Sequence, residues 1–383
     1  MRFFLNILSK VVAFAFLGLI LFALPLLAPY IKKTVTPISY ETTQATTTPK
    51  SILEKFIPPI TPLRTNIVES VKSKIKEAEI ITPVLKTQPT PPPATLSQVN
   101  IPELNTKVRE SLVNIFCSTN FSPFKATTAT GVMIDSRGVI LTNAHVGQYF
   151  LLKNYAGANS IDCVIRSGSP AKPGYLGELI FISPKWIEKN RNNLKEENPL
   201  GTGENDFALI MINKKIKGEP ITEKFPALDI EIEDSNIDRE KKIDHIVAGY
   251  PAGFLGGASV ERDLYIASAV ARIQEIFTFQ ETTVDLVSLG GNVVAQKGSS
   301  GGAVFSSGNN KLSGLIVTTT DAKTTGERDL RAITLSHINR SIKESTGKGI
   351  KEYLSGNLDE TLSLFNKNSF PYLSGILKDV LSK

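Results

Sequence analysis

Only three histidines occur in the 383-residue chain, His145, His245 and His337. Proton transfer by an imidazole near neutral pH therefore has three candidates. His145 stands in TNAHV (142–146), just after GVMIDSRGVIL (131–141), which reads as a hairpin turning at Asp135–Gly138. The small Asn143–Ala144 pair puts the ring just beyond the second strand, with room for a reactant over it. A general base is the chemistry such a histidine supports. Ser300 lies in GSSGGAV (298–304), ahead of an apolar run. Glycines there permit positive φ and close approach of another chain. The N–H groups of Gly298 and Ser300 can then share one concavity and stabilise a developing oxyanion. Asp206 heads the apolar run FALIMI (207–212). A carboxylate at the start of a buried strand needs a partner, and a histidine Nδ1–H would both pair it and fix the ring tautomer. Singly, each motif also reads as a turn, a lone histidine or a strand-capping aspartate. Together they fall in the order His, Asp, Ser, separated by 61 and 94 residues, an order known for nucleophilic serine catalysis. His245 and His337 sit in no comparable motif and read as structural.

The elements that must position these residues are mostly strands. From about residue 106, short β-rich runs alternate with Gly, Asn, Ser and Asp turns: SLVNIFCS, TGVMID, DCVIRS, GELIFIS, DHIVAGY, DLYIASAVARI, TTVDLVSL, KLSGLIVTT and RAITLS. That texture predicts an all-β domain over 106–346. HINRSIKES (337–345) predicts a closing helix. The tail 347–383 also reads as helical, with Leu358, Leu362 and Phe365 on one face, Leu373, Ile376 and Leu377 on another, and a break at 368–371.

Residues 11–31 carry no charge and are long enough, as a helix, to span about 30 Å of hydrocarbon. A cleaved signal peptide is the competing reading, but its apolar region is usually shorter and ends on small residues. The expectation is an uncleaved N-terminal signal anchor over 1–33. Residues 34–105 hold 11 of the 22 prolines and a Thr-rich stretch, and predict an extended linker. Residues 1–105 carry a net charge of +5 and the remainder +1. The basicity belongs to the anchor and linker, so a nucleic-acid partner is not expected. Two cysteines are too few for a disulfide scaffold or a four-cysteine zinc site. No metal and no cofactor are expected.

With these motifs in view, the chain resembles the trypsin-like serine proteases. TNAHV, DFAL (206–209) and GSSGG (298–302) resemble the histidine, aspartate and serine motifs of that family. GYPAG (249–253) resembles the start of the second barrel in HtrA-like bacterial members. The resemblance covers about residues 106–346. It implies two six-stranded antiparallel β-barrels with the active site between them. It also implies endopeptidase activity through an acyl-enzyme, on protein or peptide substrates, with His145, Asp206 and Ser300 as the triad. Together with the anchor it implies a single-pass protein of the cell membrane whose protease domain is extracytoplasmic. The oligomeric state is left open. A rival reading keeps the fold as a catalytically silent binding or adhesion module on a membrane stalk; a non-peptide esterase is a weaker one.

Three departures from the family pattern carry expectations. Ser299 stands where secreted digestive members have an aspartate that receives a new N-terminus, which implies activity independent of that switch. Cys117 and Cys163 do not match the usual histidine-loop cysteine; they read either as a disulfide between neighbouring strands or as two buried thiols. Val294, six residues before Ser300, falls at the base of the primary substrate pocket by resemblance, with Thr318, Thr319 and Thr320 on its wall. With no acidic residue there, the expected preference is for small or medium apolar side chains. HtrA-like enzymes usually carry a PDZ domain after the protease, and 347–383 is too short to be one.

Overall fold

The computed structural model describes residues 100–119, 126–196, 202–234, 237–253, 255–279, 282–320 and 322–383. The expected anchor (1–33) and nearly all of the expected linker lie outside them. Among the described residues no helix is long and apolar enough to cross a membrane.

Helix α1 (Ile101–Glu110) opens the folded part. Asn100 caps it by accepting from the Glu103 N–H, and Pro102 occupies a first-turn position where a missing N–H does no harm. The helix thus begins inside the segment read as linker. Val108 is fully buried, and the Arg109 guanidinium donates to the Ile266 carbonyl at 3.1 Å.

Six strands follow: β1 (Leu112–Thr119), β2 (Thr127–Asp135), β3 (Val139–Thr142), β4 (Ile161–Ser167), β5 (Lys172–Ile182) and β6 (Ala208–Lys215). They close an antiparallel barrel in the order β1-β2-β3-β6-β5-β4. Gly138 turns the β2–β3 hairpin with φ +96°, a conformation that costs other residues more. Val113, Ile115, Ile140, Ile165 and Ile210 belong to one buried cluster of the barrel. Cys117 and Cys163 face each other in register across β1 and β4 and form a disulfide. Helices α2 (Ala144–Leu151) and α3 (Pro184–Asn190) interrupt the strand sequence.

The second half departs from the expected closed six-stranded barrel. The short helix α4 (Ile237–Glu240) precedes β7 (His245–Gly249), and the short helix α5 (Gly257–Arg262) follows it, ahead of β8 (Ala267–Ala271), β9 (Glu275–Phe277), β10 (Leu286–Ser288), β11 (Ala303–Ser306), β12 (Lys311–Thr319) and β13 (Leu330–Thr334). They form a seven-stranded sheet in the order β8-β7-β11-β12-β13-β10-β9. Its two end strands are consecutive in the chain. Within the run DLYIASAVARI (263–273) only Ala267–Ala271 forms a strand, β8, which pairs with β7, Ala267 opposite Gly249. β9 begins just beyond that run and pairs with β10, Glu275 opposite Ser288. Between the two strands Ile273 packs against the apolar cluster and the Gln274 N–H donates to the Ser288 carbonyl.

Four helices end the chain: α6 (Leu335–Thr346), α7 (Ile350–Leu354), α8 (Leu358–Asn368) and α9 (Phe370–Leu381). Their spacing follows the sequence reading, with Ser369 between the last two. Leu358 and Phe365 are buried from α8, Leu373 and Leu377 from α9. Phe365, Leu373 and Leu377 join the cluster holding Val146, Phe150 and Leu151 of α2. The Ser374 hydroxyl donates to the Leu151 carbonyl at 3.0 Å. The tail is thus part of the barrel's packing.

Candidate active site

His145 is the second residue of α2. Strand β3 ends at Thr142, and Asn143 at the helix N-cap donates its side-chain amide to the Asp206 carbonyl at 2.9 Å. The two chemically relevant segments are thereby joined before any side chain of the pair is considered. Asp206 precedes β6 in a turn with two left-handed residues, Gly203 (φ +83°) and Asn205 (φ +58°). The Asn205 side chain accepts from the Ser341 hydroxyl of α6 at 2.7 Å.

The carboxylate engages one residue twice. Asp206 Oδ1 accepts the His145 backbone N–H at 2.9 Å, and Oδ2 lies 2.8 Å from His145 Nδ1. The aspartate side chain is 8% exposed and the histidine's 36%, so the pair is closed behind and open in front. Burial lowers the His145 pKa, while the Asp206 charge and its hydrogen bond raise it; the attraction prevails and the pKa lies above its ordinary value.

Ser300 sits half-buried in a loop that only glycine at two positions permits. Gly298 has φ +93° and Gly301 φ +82°. A Cβ on Gly298 would fall 2.6 Å from the Tyr250 carbonyl, and one on Gly301 2.0 Å from that of Thr130. The loop is clipped to the first barrel by Thr130 of β2. Its N–H donates to the Ser300 carbonyl, and its hydroxyl donates to the Gly298 carbonyl, each at 2.8 Å. The same hydroxyl accepts the Tyr250 N–H at 2.9 Å. In the loop, the N–H groups of Ser299 and Gly301 go to the carbonyls of Gln296 and Ile316, whereas those of Gly298 and Ser300 donate to no protein acceptor among the described residues. The Ser300 hydroxyl makes no hydrogen bond to His145 among them; such contacts are often loose before substrate binds.

The other expected positions fall as follows. Val294 is fully buried within the apolar cluster of the second sheet and has no surface to offer a ligand. Thr318 and Thr319 lie on β12 opposite Arg331 and Leu330. Thr320 follows, its hydroxyl accepting the Asp329 N–H at 2.7 Å. His245 is buried against Glu240, and His337 against Asp285, whose carboxylate also takes Arg340; both serve structure. Ser299 is buried. Sequence reading missed two residues. Thr130 acts on a loop 168 positions away. Arg328 donates to the Ala295 carbonyl at 2.9 Å, beside the expected pocket.

A closed antiparallel barrel followed by a second β-sheet, with the histidine–aspartate pair on the first and the serine loop on the second, defines the chymotrypsin-fold class. The family model described as Trypsin matches residues 105–340, and the chain belongs to the trypsin family. No curated protein matches it. Similar solved structures include an HtrA-type protease, AlgW, with a tripeptide (17% identity, 64% of each chain covered, TM-score 0.38). Others are Deg5 (15%, 62% of this chain and 90% of that one, 0.38) and a serine endoprotease from Yersinia pestis (15%, 64% and 67%, 0.38). The chain spans 64% of the length of the first.

Proposed function

We propose that the protein is a serine endopeptidase whose catalytic triad is His145, Asp206 and Ser300. The observation that carries this reading is the doubly bonded His145–Asp206 pair, in a trypsin-family chain, together with a serine loop whose Gly298 and Ser300 N–H groups are left without acceptors. Asp206 holds Nδ1 of the ring, which leaves Nε2 as the base. Ser300 attacks the scissile carbonyl as its proton passes to Nε2. The tetrahedral oxyanion is received by the N–H groups of Gly298 and Ser300. His145 then protonates the leaving amine, and water repeats the sequence on the acyl-enzyme. Substrates are proteins or peptides.

The domain works on the outer side of a cell membrane, held by residues 11–31 as an uncleaved anchor and by the Pro/Thr-rich linker. The apolar run and the linker composition support this, as does the Cys117–Cys163 disulfide, which suits an oxidising compartment. Protease accessibility in intact cells tests the topology: degradation only after lysis would overturn it. A fluorophosphonate probe tests the chemistry. Labelling of the wild type but not of Ser300→Ala is expected; absence of labelling in both supports a silent scaffold instead.

A further inference from the structure

We propose that Arg328 is the specificity-determining residue of this enzyme, and that it selects peptides with aspartate or glutamate on the acyl side of the scissile bond. The inference rests on the serine endopeptidase reading and names its substrate class.

The segment 292–300 and the strand β12 run side by side. They are tied at the nucleophile end by backbone bonds, Gly301 N–H to Ile316 O and Ile316 N–H to Gly302 O. Tight turns keep 292–300 short: Ala295 N–H donates to Asn292 O and Ser299 N–H to Gln296 O. Beyond β12 the chain folds back in a hairpin whose base is closed twice, Thr320 N–H to Asp329 O and Asp329 N–H to Thr320 Oγ1. Arg328 stands at that base. It reaches across to the carbonyl of Ala295, five residues ahead of Ser300. The guanidinium therefore bridges the hairpin base to the segment that leads to Ser300, the segment that the trypsin-family resemblance places beside the side chain of a bound acyl residue.

The apolar residues at this place are unavailable. Val294, Leu330 and Val317 are all buried in the core. Arg328 is half-buried and keeps part of its surface. Its Nη1 and Nε serve the carbonyls of Ala295 and Ala322, and the Nη2 group has no protein acceptor among the described residues. No described carboxylate lies within ion-pair reach of it. Its neighbour Asp329 is already engaged by Ser288 and Arg331, and Glu327 accepts the Thr324 N–H. An arginine held by two carbonyls, with no ion-pair partner among the described residues, presents a planar donor set matched to a carboxylate. A substrate without that carboxylate leaves the guanidinium desolvated and unpaired, and this is the source of discrimination. The apolar preference expected from Val294 is replaced.

The test joins two measurements on the full chain. Fluorophosphonate labelling reports a competent Ser300 whatever the pocket prefers. Cleavage of a peptide library varied at the acyl-side residue reports the pocket. In the wild type, kcat/KM for Glu or Asp should exceed that for Leu by about tenfold or more. Within Arg328→Ala that ratio should collapse to near or below one; Arg328→Lys should keep part of it; Arg328→Glu should favour Lys or Arg. Labelled wild-type enzyme with an apolar or basic profile overturns the inference while leaving the endopeptidase reading intact, as does an acidic profile unchanged in Arg328→Ala. No labelling and no cleavage removes the reading and the inference together.

Discussion

Thr130 holds Ser300 from the opposite barrel. One backbone bond, from the Thr130 N–H to the Ser300 carbonyl, fixes the residue itself, and the threonine hydroxyl fixes Gly298 two positions earlier while receiving Tyr250. Thr130→Val keeps the shape and removes the hydroxyl. It leaves the buried Gly298 carbonyl and Tyr250 N–H unpaired, at a cost of about 1–3 kcal/mol in stability. Because the hydroxyl fixes the carbonyl of the residue whose own N–H is a proposed oxyanion donor, kcat should fall by about tenfold to a hundredfold with a smaller change in KM. Thr130→Ser should restore most of it. Steady-state kinetics and urea denaturation on the three proteins measure both effects.

The His145–Asp206 pair sets the pH response. A base must be neutral to act, so kcat/KM should rise with pH through an apparent pKa above about 6.5. The stability contribution runs the other way: it is full below the unfolded histidine's pKa and is lost as pH rises through the raised folded value. Asp206→Asn should move the acid limb down and cut kcat by about four orders of magnitude. A limb that stays in place in that variant would show that Asp206 does not govern the base.

The Cys117–Cys163 bridge closes a loop with sequence separation 46. Replacing both cysteines with alanine should lower the unfolding free energy by about 2–4 kcal/mol, read from the shift in urea midpoint at constant slope. The native protein should also take up no thiol reagent unless reduced first.

The C-terminal helices are expected to behave as core. Leu377 is fully buried against the side of the barrel that carries α2. Leu377→Ala should cost about 2–5 kcal/mol. Ser374→Ala, which leaves the Leu151 carbonyl without its hydroxyl partner, should cost about 1 kcal/mol. Thermal unfolding followed by circular dichroism separates the two. A tail that could be substituted without a change in midpoint would not be part of this packing.

The legible parts of the chain share a cause: their chemistry is local. With three histidines, a serine among glycines and an aspartate heading a strand, the candidate residues could be chosen from short windows. The helical faces of 358–377 were readable from spacing alone. What escaped depended on partners distant in sequence. Nothing in the type of Thr130 announces that its hydroxyl serves Gly298. Arg328 looks like any surface arginine until Ala295 is brought to it. The short strand β9 (Glu275–Phe277) lay in no run read as a strand, since its three residues are defined by their pairing with β10. The choice between a disulfide and free thiols turned on register, which neither cysteine encodes.

Helix α1 has a consequence for a chain held at its N-terminus. Tension carried by the residues before Asn100 would enter the domain through α1, which packs on β7 and is pinned by Arg109 to the Ile266 carbonyl. β7 is paired with β11, Ala248 opposite Ala303, and β11 starts three residues after Ser300. If the chain is anchored at its N-terminus as proposed, α1 fastens it one strand away from the loop of Ser300. A pull along α1 would load both halves at once, β7 through its packing on α1 and β1 of the first barrel through Ser111, the one residue between helix and strand.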